Sequence, residues 1–285
     1  MGVRSRKTAT VANLGLVMRV KGRTALVTGA SSGIGASTAV LLARRGARVL
    51  AVGRNAERLS AVADRHEGIV PFVADVTSTA DRGRMVAEAE AALGGGIDIL
   101  VNNAGIGWAG RLKDMPADDV THLFDTNLIG LIDLTHRVLP GMLERRRGHV
   151  SNVASVLSFV ALPGLGAYSA SKFAVQGYTD ALRRELPGTG VTATCIHPGP
   201  VATRFLPRAI ARDLGEVPSV PGGVPPWLVA FAIERGIRLS RLPGYGAISV
   251  PRPMGLFRLA EVPGVRAAID LTSAAGSSLF TRLGV

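Results

Sequence analysis

The residue types able to do chemistry start at Tyr168 and Lys172, in the stretch YSASK. Four residues apart on a helix, a phenol and an ammonium share one face. Lysine is scarce here: Lys7, Lys21, Lys113 and Lys172 stand among 33 basic residues, the other 29 being arginine. A phenol beside a cation is a candidate proton donor and acceptor. Its ordinary pKa is about 10, and lowering it to about 7 takes about 4 kcal/mol. One ammonium about 4 Å away in partly buried surroundings supplies that much, while desolvation pushes the phenol up. The plain alternative is an aromatic and a solvated cation on a surface helix. Ser155 stands thirteen residues before Tyr168, at the end of the apolar run HVSNVAS, with Ser151 and Ser158 as competing hydroxyls. Asn127 lies in DTNLIG, near the start of a long helical pattern.

A second constellation is TGASSGIG, Thr28 to Gly35, with glycines at 29, 33 and 35. It follows an apolar run and opens an amphipathic one, a strand–turn–helix context that gives glycines a mechanism. Gly29 allows the tight turn, Gly33 lets a pyrophosphate approach the backbone, and Gly35 lets helix and strand pack closely. The helix N-terminus adds free N–H groups and partial positive charge.

The elements that must position these groups are legible as alternation. Apolar runs at 24–29, 48–53, 69–74, 97–102, 149–155 and 191–196 read as strands, and 246–250 as a short further one. Helical patterns cover 33–45, 55–66, 79–93, about 118–146 with Pro140 late in it, 167–186 and about 226–239. Strands apolar at nearly every position belong to parallel sheets covered on both faces. Strand–helix alternation gives βαβ units. The expectation is an α/β fold, a doubly wound parallel sheet of about seven strands in three layers.

Composition narrows the function classes. Hydrophobic residues make up 47 % of 285, and mean hydropathy is +0.29, enough for a large core. The net charge of +12 invites a nucleic-acid reading,. The arginines are scattered, however, and aromatics are only 5 % and not interleaved with them, which argues against it. The lone Cys195 excludes an internal disulfide and a cysteine-rich metal site,, and its strand context reads as a buried, inert thiol in a cytoplasmic protein. No window reaches about 18 uninterrupted apolar residues, so no membrane-spanning helix is expected. Residues 1–20 read as a flexible leader, 21–250 as one domain with a substrate-binding segment at 204–245, and 251–285 as a C-terminal extension.

The glycine spacing G-x-x-x-G-x-G, with Ser155, the Tyr168–Lys172 pair and Asn127 at matching intervals, resembles the short-chain dehydrogenase/reductase family in its single-domain form. The resemblance is strong over about 20–204 and weak to about 250. It implies an oxidoreductase interconverting a ketone or aldehyde and an alcohol by hydride transfer. Tyr168 would be the acid/base. Lys172 would tune it and bind the nicotinamide ribose, Ser155 would hydrogen-bond the substrate oxygen, and Asn127 would hold a water relaying protons toward Lys172. Gly29, Ser31, Ser32, Gly33, Ile34 and Gly35 would line the cofactor phosphates. Asp75 and Val76 would meet the adenine, and Asn103, Ala104 and Gly105 the adenosine side. Pro198, Gly199, Val201 and Thr203, in HPGPVAT, would flank the nicotinamide, Thr203 bonding its carboxamide.

The second strand ends in Gly53 and Arg54, where an acidic residue would bond an adenosine ribose 2′-OH,. No carboxylate stands there to repel a 2′-phosphate, there is room beside Gly53, and Arg54 offers a planar fork. The expectation is NADP(H) over NAD(H). The stretch VLSFVALPGLGA, together with Phe205, Trp227 and Phe231, suggests an apolar substrate of steroid, lipid-derived or polyketide-like kind. The extension, apolar with Arg252, Arg258, Arg266 and Arg282, suits a site cap, a subunit interface or peripheral membrane contact. In the family the two long helices often pair across a homodimer or homotetramer. The competing reading is a non-catalytic NADP(H)-binding sensor or scaffold, which has no need of Ser155, Tyr168 and Lys172 together.

Overall fold

The computed structural model describes residues 17–203, 210–211, 223–242 and 244–261, without the side chains of 210–211 and 257–261. The chain runs β1 (Thr24–Thr28), α1 (Gly33–Arg44), β2 (Arg48–Gly53), α2 (Ala56–Ala63), β3 (Ile69–Val73), α3 (Thr79–Leu93), β4 (Ile99–Asn102) and the short β5 (Trp108–Ala109). Then come α4 (Ala117–Phe124), α5 (Gly130–Glu144), β6 (Gly148–Val153), α6 (Gly166–Glu185), β7 (Val191–Pro198), the short β8 (Ile210–Ala211), α7 (Pro226–Leu239) and β9 (Ala247–Val250).

Seven strands form one parallel sheet in the order β3-β2-β1-β4-β6-β7-β9. The doubly wound expectation holds. β5 and β8 form a separate two-stranded parallel pair. The strand order reverses between β1 and β4, and the crevice beyond their carboxyl ends is where such sheets take ligands. Each face carries a core: α1, α2 and α7 pack on one through Leu42, Leu59, Val229 and Ile233. On the other, Met85, Leu134 and Leu182 bring α3, α5 and α6 against the sheet. β1, β4 and β6 are buried along their whole length, as a two-faced parallel sheet requires,. Edge strand β3 tolerates Pro71 because its outer ladder positions need no donor,.

Helix starts follow their local chemistry. Asn55 accepts the Arg58 N–H to cap α2, and Ser78 accepts the Asp81 N–H to cap α3,. No side chain caps α1. The helix expected over 118–146 is broken in two. Residues Asp125–Ile129 form a π-helical turn between α4 and α5, a wider turn that is frequent at functional sites,. Beneath the site a buried polar chain ties two strands to two helices. Asn102 Nδ2 donates to Asn152 Oδ1 (2.9 Å) and Thr135 Oγ1 (3.1 Å), and Asn152 Nδ2 donates to Thr179 Oγ1 (3.0 Å).

At the described N-terminal side, packing reaches into the stretch expected as a leader. Met18 N donates to the Arg238 carbonyl, and Val20 is buried in the core, so packed structure starts before residue 21. A 3₁₀ stretch, Arg252–Glu261, follows β9 and folds back on it. Phe205 lies outside the described residues, as do most of 204–222.

Candidate active site

Every site residue expected from the sequence lies at or just beyond a C-terminal strand end, or on α6, or in the π turn. The glycine loop joins β1 to α1. Gly29 and Gly33 have left-handed φ of 65° and 56°, values that favour glycine,. A Cβ on Gly35 would lie 2.2 Å from the Gly29 carbonyl oxygen and 2.6 Å from Asn103 Nδ2, so the helix can start this close only without a side chain. A Cβ on Gly29 would meet the Ala104 Cα at 2.9 Å, and one on Gly33 would meet Thr203 Cγ2 at 3.1 Å. The loop therefore touches the segments after both β4 and β7. Ile34 packs against the core, and Ser32 stands at the uncapped start of α1.

Thr28, to which the glycine motif alone assigns no role, holds this corner. Its hydroxyl accepts from the Asn103 and Ala104 N–H groups, both at 3.0 Å. Asn103 Nδ2 returns a hydrogen bond to the Thr28 carbonyl at 2.9 Å. The free N–H groups at the start of α1, with no capping side chain and no Cβ in the way, suit a bound pyrophosphate.

At the far end of the crevice, Gly53 does not offer the expected room. A Cβ there would lie 3.2 Å from both Ser31 Cβ and Ser31 Oγ, so the serine fills that space. Arg54 pairs across to Asp75 at 3.6 Å. Burial tends to raise the Asp75 carboxyl. The Thr77 N–H and hydroxyl, Arg54 and His122 outweigh it and hold the group below its ordinary value. The Val76 carbonyl accepts from Arg82 and sits under Gly130, locating the start of α5.

Tyr168 and Lys172 share one face of α6, with Nζ 5.7 Å from the ring centroid. Lys172 is buried, and its Nζ donates to the Val153 carbonyl at the end of β6 (3.1 Å). The electrostatics reverse one expectation. Burial pushes the Tyr168 phenol up to about 12, against a hydrogen bond with the Ser155 hydroxyl that lowers it. Burial pulls the Lys172 ammonium down to about 8, opposed by Cys195. Desolvation outweighs the nearby ammonium, whose Nζ donates to the Val153 carbonyl and lies 5.7 Å from the centroid of the phenol ring. Protein groups alone thus keep Tyr168 protonated.

Ser155 is buried and begins a 3₁₀ turn over Val156–Ser158, its Oγ accepting the Leu157 N–H at 3.2 Å. Asn127, in the π turn, is tied by its side chain to its neighbours. Its Oδ1 accepts the Ile106 N–H (2.8 Å). Its Nδ2 donates to the Ile106 carbonyl (3.0 Å) and to Ser171 Oγ (3.0 Å). Both amide protons are spent, so the side chain is a brace between the loop after β4 and α6. Ser171 passes that brace on, donating to the Tyr168 carbonyl at 2.7 Å. A Cβ on Gly105 would meet Asn127 Oδ1 at 3.1 Å and Lys172 Nζ at 3.5 Å, so all three meet at one point.

After β7, Pro198 ends the strand, Val201 bridges to Val224, and Thr203 faces the glycine loop. Gly199 receives Met254 from the stretch after β9. A Cβ on Gly199 would lie 2.3 Å from the thioether sulfur. Trp227 and Phe231 stand exposed on α7, at 63 % and 42 %. Among the described residues no helix is long and apolar enough to cross a membrane, and no cluster of His, Cys, Asp or Glu is arranged to hold a metal.

A doubly wound sheet with a glycine-cradled helix start at its switch point and a Tyr–Lys–Ser group at the next strand ends defines a class of α/β oxidoreductases. The family model described as short chain dehydrogenase matches residues 23–213. The chain is 45 % identical to an oxidoreductase of Myxococcus xanthus over 184 residues, covering 62 % of this chain and 71 % of that one. It is 35 % identical to a 3-oxoacyl-(acyl-carrier-protein) reductase of Thermotoga maritima over 209 residues, 70 % of this chain and 85 % of the relative. Among solved structures, the 3-ketoacyl-(acyl-carrier-protein) reductase of Brucella melitensis complexed with NADH superposes with a TM-score of 0.73. It shares 26 % identity and is covered to 97 %, against 81 % of this chain. The chain belongs to the short-chain dehydrogenase family and is an oxidoreductase.

Proposed function

We propose that the protein interconverts a ketone or aldehyde and an alcohol by hydride transfer with NADP(H), Tyr168 acting as the acid/base. The carrying observation is the convergence of half-buried Tyr168 with buried Ser155 and Lys172 in one group beside the glycine-cradled start of α1. When bound there, the nicotinamide supplies or accepts the hydride. The protein's part is binding, orientation and the proton. The N–H groups of Gly33 to Gly35 and the Ser32 corner hold the phosphates, and Thr203 closes over the loop. Ser155 Oγ hydrogen-bonds the substrate oxygen and the charge developing on it. Tyr168, protonated on its own, gives its proton to that oxygen in reduction. In oxidation it takes the proton, with the Lys172 ammonium supporting the phenolate.

The preference for NADP(H) rests on the end of β2, where Gly53 and Arg54 stand in place of a carboxylate. The Brucella reductase has NADH bound, and the difference is argued from this chain's own donors, Ser31 and Arg54. Exchanging its present partner Asp75 for a phosphate costs Arg54 little, because it is 61 % exposed. Arg54→Asp should lower NADPH affinity roughly ten- to hundredfold, the worth of a charge-assisted hydrogen bond, and raise relative NADH use. An unchanged preference removes Arg54 from this role. An apolar substrate is supported by Leu112 and Leu162, both exposed near the start of α6, with Leu112 packed on Gly166.

The test is a panel of ketones and alcohols, apolar and polar, with NADPH consumption or formation as the readout. Turnover on apolar ketones is expected. Tight NADPH binding with no turnover on any member would favour the sensor or scaffold reading instead.

A further inference from the structure

His197, the last residue of β7 before Pro198, is fully buried, and it is not among the groups proposed to touch the reacting atoms. Its surroundings converge on Ser155. The Ser155 carbonyl accepts from Ser158 N (3.0 Å), from Ser158 Oγ (2.5 Å) and from His197 Nδ1 (3.2 Å). His197 Nδ1 also lies 2.9 Å from Ser158 Oγ. These distances fix the proton. The Ser158 hydroxyl spends its hydrogen on the carbonyl, so its oxygen accepts from the ring. A bare Nδ1 lone pair facing a carbonyl would repel it. The ring therefore carries its hydrogen on Nδ1. Phe159 packs on the imidazole at 4.3 Å between ring centroids and keeps its plane in place.

We infer that His197 is a positioning residue for Ser155. The ladder bond from Ala154 N to the Ile196 carbonyl fixes the backbone on one side of Ser155. His197 and Ser158 fix the carbonyl on the other. With the Ser155 carbonyl pinned and the backbone held one peptide upstream at Ala154, the Cα–Cβ direction is set, and the hydroxyl is held at Tyr168 and at the substrate oxygen. A displacement of about 1 Å at such a group can cost about a hundredfold in rate. The strand carrying the segment proposed to flank the nicotinamide thus also aims the hydroxyl proposed to hold the substrate. The inference rests on the functional reading above.

The test compares His197→Leu, which removes the donor, with His197→Asn, which keeps one, on the best ketone of the panel. Loss of one buried hydrogen bond predicts about a tenfold fall in kcat for His197→Leu, with NADPH affinity unchanged by fluorescence titration. His197→Asn should restore most of it. In a Ser155→Ala background His197→Leu should cost nothing further, because a residue acting through Ser155 has nothing left to act on. Undiminished kcat in His197→Leu, additive losses with Ser155→Ala, or a folded His197→Asn no better than His197→Leu would each overturn the inference. Should His197→Leu fail to fold, Ser158→Ala carries the same cycle with the same expected non-additivity. Nitrogen NMR of the folded wild type should show the Nδ1–H tautomer, and an Nε2–H ring overturns the assignment without any activity measurement. An absence of turnover across the whole panel, or an unaffected Ser155→Ala, sinks the functional reading and this inference with it.

Discussion

Lys172 is buried and Tyr168 half-buried, and the loss of water moves each toward its neutral form. For the phenol this keeps the proton in place for delivery to a carbonyl oxygen. Tyr168→Phe should lower turnover by roughly a hundred- to ten-thousandfold, the range for a lost general acid, while NADPH binding by fluorescence stays near wild type. Wild-type-like activity would refute the assignment. Lys172 makes a prediction about stability. Its pKa falls from 10.5 to about 8 on folding. Below pH 8 both states hold the proton, and the full cost of burying the ammonium is present. Between about 8 and 10.5 the unfolded chain holds more protons, so stability rises with pH. The whole span is worth about 3 kcal/mol. Urea midpoints for wild type should climb relative to Lys172→Met across this window, and parallel curves would mean that the ammonium is not desolvated. Tyr168 has the opposite sign: above pH 10 the unfolded phenol ionises first, so stability falls toward 12,.

At the scale of elements, the site depends on close approaches that glycine makes possible. The start of α1 lies against the β1 turn because Gly35 has no side chain. A Cβ there meets a backbone carbonyl at 2.2 Å, and backbone cannot step aside as the end of a flexible side chain can. Gly35→Ala should therefore destabilise the fold by about 1–3 kcal/mol through overpacking, and weaken NADPH binding with it. Thermal midpoint and fluorescence titration on the same sample check both. A variant with wild-type values would show that the approach is not needed. The π turn at 125–129 is the other element-level device. Thr126 and Asn127 are both buried in that turn, and Asn127 bridges to Ile106 and, through Ser171, to Tyr168.

At the scale of the molecule, the described stretch beyond β9, Arg252–Glu261, returns to the site. Met254 packs on Gly199, inside the segment proposed to flank the nicotinamide, and the 3₁₀ stretch that carries it leans on β9. Of the three roles open to the extension, the site cap is the one this contact favours, with Met254 as part of the wall of the substrate site. Met254→Ala should enlarge that wall. The ratio of kcat/KM for a bulkier ketone over a smaller one should rise by about tenfold, the usual worth of a methylene or two in an apolar pocket. NADPH affinity should not change. A ratio that stays fixed would place the extension outside the substrate wall.

The sequence by itself determined the alternation of strands and helices, the glycine loop and the Tyr168–Lys172 pair. All of these are local: apolar periodicity, turn chemistry and an i, i+4 spacing act over a few residues. The tertiary structure decided the rest, because it depends on partners far apart in the chain. It split the long helix at Asn127, whose amide is spent on Ile106 and Ser171, residues 21 and 44 positions away. It filled the space beside Gly53 with Ser31, brought Met254 onto Gly199, and set His197 against the carbonyl of Ser155, 42 positions upstream. It also decided the direction in which Tyr168 titrates. Spacing puts a cation on the same face as the phenol, but only packing sets how much water each loses and which carbonyl takes the cation's hydrogen bond.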